Sequence, residues 1–179
     1  MNPLLHEIDP TAALSFSGHR PNRLPGQGDP TVPEMRTLTA VLQKEIIAAI
    51  NRGMTAMLQG CMCGWDIICG EQVIEVKKQY PHIRLVSVAP YSVRLFSKED
   101  CWTPEWENRA REVCRQSDIS ISLAEHYRKG IYFERNRVLV NHSSLLIVYH
   151  DGGSGGTKFT IDRAKEKGLT IKNLYGSAE

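Results

Sequence analysis

Short apolar runs at residues 13–17, 55–59, 84–89, 119–123, 145–149 and 170–174 punctuate the chain, and longer segments with helical apolar spacing separate them. Strands this short, each followed by an amphipathic segment long enough to cross back, are what a parallel sheet covered by helices requires. The first, third and fifth runs end in Gly18, Pro90 and a glycine-rich loop, so breakers follow strands where α/β folds place their functional turns. The pattern predicts an α/β fold: a three-layer, Rossmann-like parallel sheet with helices on both faces.

The intervening segments supply the crossovers. Leu38, Val41, Leu42, Ile46, Ile47 and Ile50 recur at helical spacing behind Pro33, a residue suited to a first turn, which predicts a helix over 33–52. Further helices are expected over 65–80, ended by Pro81, over 104–116 and 132–142, and over 157–167, closed by Gly168. The proline- and glycine-bearing stretch 21–33 reads as a loop. A chain of 179 residues without internal repeats fits one nucleotide-binding domain over 1–179, with its core at about 13–174.

The loop that follows the fifth run, Asp151-Gly152-Gly153-Ser154-Gly155-Gly156-Thr157, is the chain's densest cluster of glycines. Glycines remove the Cβ atoms that block close backbone approach, and allow positive φ values that aim successive N–H groups at one point. A helix opening there adds unpaired N–H groups and its dipole, so the loop is a candidate phosphate site.

Right-handed crossovers place the carboxyl ends of all the strands on one edge of the sheet. Gly18-His19-Arg20-Pro21, the turn Gly60 to Asp66, Pro90-Tyr91 and the glycine-rich loop all fall on that edge. Arg20 carries a planar fork suited to phosphate, with His19 beside it. Asp66 suits either of two roles, a carboxylate favouring its own helix dipole or an acceptor for ribose hydroxyls.

Composition bounds the partners. The formal net charge of +2 gives no reason to expect nucleic acid, and a nucleotide or nucleotide-derived small molecule is the expected ligand. The five cysteines lack the spacing of a disulfide framework and read as reduced thiols. Cys61-Met62-Cys63 has no second ligand pair, so no metal is expected, and no cofactor is called for. Acidic residues by position 9 and the absence of a long apolar run predict a cytoplasmic protein with no membrane span. A homo-oligomer is compatible with the sequence.

Ser17-Gly18-His19-Arg20-Pro21, Gly60 to Asp66 with Gly64, Arg135-Asn136, and Asp151 with Gly155-Gly156-Thr157 together resemble the YpsA-like branch of the SLOG superfamily, over residues 13–174. The resemblance implies a Rossmann-like fold that binds nucleotides or their derivatives, and it extends to the DprA-like proteins and the LOG cytokinin-activating enzymes. LOG enzymes carry a Glu-Arg-Lys helix and a Pro-Gly-Gly-x-Gly-Thr-x-x-Glu loop, and they cleave the base from nucleoside monophosphates. Glu134-Arg135 and Gly156-Thr157 match those motifs, but Asn136 replaces the lysine and Thr160 stands where the glutamate belongs. Glycosidic cleavage needs a placed carboxylate, which a threonine hydroxyl does not replace.

The sequence therefore leads to a nucleotide-binding or nucleotide-sensing protein. The expected site comprises Gly18, His19, Arg20, Gly64, Asp66, Arg135, Asn136, Asp151, Gly155, Gly156 and Thr157. Catalysis stays open at this stage. The alternatives are a LOG-related N-glycosidic phosphoribohydrolase, with Asp66, Asp151 or Glu134 as the substitute carboxylate, and a DprA-like DNA-processing accessory.

Overall fold

A computed structural model describes residues 3–92 and 101–177. Its strands are β1 (Ala13–Gly18), β2 (Ala56–Gln59), β3 (Arg84–Ala89), β4 (Ile119–Ser122), β5 (Leu145–Tyr149) and β6 (Thr170–Asn173). All are parallel and lie in the order β4-β3-β2-β1-β5-β6. The helices are α1 (Pro33–Asn51), α2 (Trp65–Lys77), α3 (Pro104–Gln116), α4 (Ile131–Asn141) and α5 (Gly156–Lys167).

Strands covered on both faces need continuous apolar runs, and β2 and β5 are buried at every residue. The edge strands differ as their sequences do. Ile-Ser-Ile-Ser in β4 alternates buried and exposed, and β6 is mostly exposed. On one face Leu14, Phe16, Met57, Leu85 and Ile147 pack against Leu38, Leu42 and Ile46 of α1, Trp65 and Ile67 of α2, and Trp106 and Val113 of α3. On the other, Leu58, Val86 and Val88 meet Leu139 of α4, while Leu146 and Val148 meet Val140 of α4 and Ile161 and Ala164 of α5.

The chain builds outward from β1 through β2 and β3 to β4, then returns through α4 to pair β5 on the other side of β1. This reversal of winding splits the connections above β1 and β5 to opposite faces and opens a crevice at their carboxyl ends.

Several element ends differ from the sequence expectations by one residue, and larger departures fall elsewhere. Helix α2 ends at Lys77 rather than at residue 80, because the residue before Pro81 is pushed out of the helical region; tighter turns carry the chain on, with Gln79 N donating to Val76 O. Helices α4 and α5 each start one residue early, at Ile131 and Gly156. The 21–33 loop contains two short 3-10 turns, Pro21–Arg23 and Pro25–Gly28. The core also begins earlier than expected, since Leu5 and Ile8 of the N-terminal segment are buried against β2 and β3.

Candidate functional site

A cleft of about 350 Å³ lies over the carboxyl ends of β1 and β5. Gly18, His19, Arg20, Asp66, Arg135, Asn136, Gly155, Gly156 and Thr157 of the expected set line it. Gly64 and Asp151 do not, although both shape it.

β1 delivers Gly18 against the face of Trp65, where an added Cβ would sit 2.4 Å from the indole. Thr157 Oγ1 donates to Gly18 O at 3.0 Å, tying the first turn of α5 to the end of β1. Gly64, at φ 95°, caps α2 beneath the chain leaving β1: its Cβ would lie 2.5 Å from His19 O, and Trp65 N donates to that oxygen at 3.0 Å. Its role is to let two backbones touch.

The glycine-rich loop is folded by a histidine the sequence reading did not single out. His150, 6 % exposed, has Nε2 at 2.8 Å from Gly153 O and accepts from Gly152 N at Nδ1, 3.3 Å away. Those contacts assign its proton to Nε2. Asn173 of β6 grips the same residue from behind, accepting from His150 N and donating to His150 O. Gly152 and Gly155 adopt φ 92° and 136°. Gly155 caps α5 with no side-chain partner for the helix's first N–H groups, so these donors open onto the cleft.

Asp151 does not line that opening. Its carboxylate accepts from Arg23 and from Gly153 N, and lies 3.0 Å from His19 Nε2. The Gly153 N–H, helped by Arg23 and His19, pulls its pKa down to about 2. Burial and the nearby Arg23 charge hold the His19 imidazole below its usual pKa despite Asp151. The neutral ring either accepts from Asp151 N, 3.1 Å away, or in its other tautomer donates to the carboxylate. These groups brace the loop.

Arg135 and Asp66, expected as separate anion and ribose contacts, are joined. Arg135 Nη1 donates to Asp66 Oδ2 at 2.6 Å, and both side chains are under 10 % exposed. The guanidinium lies on Gly60, whose Cβ would fall 1.2 Å from Nη1, and Arg135 Nε has no partner. Asn136 Nδ2 donates to Gly156 O at 3.3 Å, so it anchors α5. Thr160 is fully buried and returns its hydroxyl to Gly156 O at 2.9 Å, within its own helix. Glu134 pairs with Arg128 and does not line the cleft.

Arg20 stands apart from the other two guanidiniums of the cleft. Arg23 is engaged by Asp151 and Arg135 by Asp66, whereas Arg20 meets no carboxylate among the described residues. It approaches sulfur instead, with Nη1 at 2.7 Å from Cys101 Sγ and 3.4 Å from Cys63 Sγ. Cys63 and Cys101 are paired as a disulfide across 38 residues, their Cα atoms 6.6 Å apart, which corrects the expectation that all five cysteines are reduced thiols. Spacing in sequence cannot reveal a pair that only the fold brings together. Cys61, Cys69 and Cys114 are free.

Arg23, Tyr132 and Phe133 also line the cleft outside the expected set, as do Ser17, Met62 and Cys63 from the expected turns and Ser154 from the expected loop. Phe133, on the first turn of α4, is 46 % exposed and packs edge-on against Phe159, and its place two residues before Arg135 is the signal the sequence carried for it. Among the described residues no group of three or more His, Cys, Asp and Glu side chains could hold a metal ion. None of the described helices is long and apolar enough to cross a membrane.

The chain is similar to known proteins over most of its length. A UPF0398 protein of Brevibacillus brevis is 24% identical over 157 residues, which cover 86% of this chain and 81% of that protein. A UPF0398 protein of Bacillus pumilus is 24% identical over 155 residues, with 85% and 81% covered. DNA processing protein A (DprA) from Streptococcus pneumoniae superposes with a TM-score of 0.65 at 16% identity over 94% of this chain, which spans about half (51%) of that one. DprA from Helicobacter pylori, in a structure reporting its single-stranded DNA binding mode, gives 0.62 at 18% identity, covering 96% of this chain and 68% of that one. These structural likenesses establish a shared fold, and they lend no support to the exclusion of nucleic acid from net charge. The YpsA family model, described as the YspA SLOG family, matches residues 14–174, and the chain belongs to that family.

Proposed function

We propose that the cleft binds a nucleotide or nucleotide-derived ligand, with a phosphate seated between the first turn of α5 and Arg20. The observation that carries this reading is their convergence. An uncapped helix N-terminus and a guanidinium that meets no carboxylate among the described residues line one cleft at the topological switch between β1 and β5. The volume of about 350 Å³ lies within the range of small-ligand sites. Tyr132 and Phe133 offer apolar faces to a base.

Binding without LOG-type hydrolysis is the reading the side chains favour. Thr160 is bonded into its own helix, Glu134 pairs outside the cleft, and Asp151 is engaged by Arg23 and Gly153 N. Asp66, the remaining carboxylate in the cleft, is held by Arg135. A general base or oxocarbenium partner needs a carboxylate aimed at the scissile bond.

A panel of nucleoside mono-, di- and triphosphates, screened by thermal melting and titrated by calorimetry, tests the reading. A ligand at a hundredfold excess over its Kd stabilises by about 2.7 kcal/mol. Chromatography of the same mixtures for free base tests the enzyme alternative, and release by the unmutated protein would make Asp66 the leading catalytic candidate. A second reading, single-stranded DNA, is favoured by the DprA likeness together with three arginines on the cleft. A gel-shift series over rising salt tests it, because phosphate contacts weaken steeply with salt.

A further inference from the structure

We propose that Cys63 and Cys101 form a redox-active pair in the cleft wall, and that their state sets how much of Arg20's charge reaches a bound anion. The second half of the proposal rests on the anion reading above; the first does not.

The two sulfurs come from different parts of the fold. Cys63 belongs to the buried turn between β2 and α2 and lines the cleft, while Cys101 lies just before Thr103, the cap of α3. Arg20, from the end of β1, donates to both sulfurs from a single nitrogen, at 3.4 Å and 2.7 Å. The remaining cysteines are placed differently. Cys61 and Cys69 are fully buried, and Cys61 Sγ faces Cys114 Sγ at 3.6 Å beneath α3. Burial drives the thiols of Cys61 and Cys69 well above their usual pKa, which makes them inert. Cys101 is partly open and Cys63, though buried, lines the cleft, and both meet the Arg20 guanidinium, a contact that Cys61 and Cys69 lack.

The exchange is an ordinary dithiol–disulfide reaction. A thiolate of a small dithiol attacks Cys101 Sγ, the more exposed of the two sulfurs, to form a mixed disulfide. The Cys63–Cys101 bond breaks and Cys63 leaves as a thiolate, which the adjacent guanidinium stabilises. The reductant's second thiolate then displaces Cys101 and closes its own disulfide, so two electrons pass to the protein and the sulfur count balances.

The disulfide is neutral and leaves Arg20 its full charge. After reduction a thiolate competes with the anion for the same guanidinium. Linkage makes the effect reciprocal: a bound anion disfavours the thiolate and makes the pair harder to reduce.

The full chain is tested in two arms. In the first, alkylation with iodoacetamide under non-reducing conditions, followed by peptide mapping, should recover a Cys63–Cys101 cross-linked peptide from diamide-treated protein. Graded dithiothreitol should remove it without loss of the far-UV circular dichroism signal. Failure to form that peptide after diamide overturns the pair. In the second arm, calorimetric titration with inorganic phosphate should give a Kd about fivefold weaker in the reduced protein, the scale of a partly exposed ion pair. Cys101→Ser should show one Kd with and without reductant. Equal phosphate affinity in both wild-type states, with Arg20→Ala still weakening it, overturns the coupling and spares the anion site. No phosphate binding in either state overturns the anion reading and the coupling with it, and leaves the pair to be judged by the peptide map.

Discussion

The turn after β2 and the loop after β5 are built to one plan and used in opposite ways. Each leaves a buried strand, runs through glycines and opens a helix on a glycine with positive φ, Gly64 at 95° and Gly155 at 136°. At α2 the opening is filled: residues 60–70 are all buried, and His19 O accepts from the first helical N–H. At α5 the loop is largely exposed, nothing stands near the Cβ position of Gly155, and no side chain caps the helix. A glycine turn before a helix therefore marks close approach without saying what approaches: in the first case another stretch of this chain, in the second a space facing solvent. An anion site needs the second condition, because donors already paired with backbone have nothing left to give.

The largest effect should come from breaking the filled turn. Gly60→Ala would drive its Cβ into Arg135 Nη1 and within 2.5 Å of Asp66 Oδ2, expelling the guanidinium from its buried pair. Splitting such a pair costs about 3–5 kcal/mol. Urea denaturation should show a loss of that size in Gly60→Ala, and a stability within about 1 kcal/mol of wild type would mean the pair is not buried as described.

Arg20→Ala should do the reverse at the open end. Loss of one charge-assisted contact should cost about 1.5–3 kcal/mol of nucleotide affinity, while stability changes by under about 1 kcal/mol. Calorimetry on the nucleotide that stabilises the wild type measures the first quantity and denaturant unfolding the second. An unchanged Kd would remove Arg20 from the site.

The two glycines that open α5 separate backbone strain from backbone approach. Gly155→Ala forces a side chain into positive φ and should cost about 1–3 kcal/mol of stability. Gly156 has no positive φ, and its Cβ would meet only Asn136 Nδ2 at 3.8 Å, so Gly156→Ala should fold normally and weaken binding only by crowding the ligand. Equal melting temperatures for the two variants would show that the loop relaxes around either one.

The layout was legible from the strand runs, because strands covered on both faces must be apolar throughout and breakers must follow them. β3, β5 and α3 lie at the expected boundaries. The roles within the cleft were less legible. Asp66 and Arg135 are 69 residues apart in sequence, and their pairing depends on Gly60 standing between them, which no local pattern encodes. Asp151 lies in the right loop yet turns to Arg23, because His150 folds the glycines around its own ring. The burial of N-terminal Leu5 and Ile8 was illegible for a simpler reason, since one apolar residue in a 3-10 turn and another just after it make no periodic signal.

The smallest effect belongs to pH, and it separates the brace from the site. His19 has a depressed pKa in the folded protein, so protonation favours the unfolded chain. The stability it confers is complete above the unfolded value of 6.5 and is lost as pH falls below it. Asp151, held at about 2 against an unfolded 3.8, keeps its contribution until pH falls below about 4. Melting temperature should therefore decline in two separate windows, the first opening as pH falls below about 6.5. His19→Gln should flatten that first window and leave the second in place. Arg20→Ala should leave both unchanged, because the Arg20 side chain reaches Cys63 and Cys101 and forms no hydrogen bond or ion pair with His19, Asp151 or Arg23. A first window that survives His19→Gln would mean that another imidazole carries it and that the His19–Asp151 contact does not brace the loop.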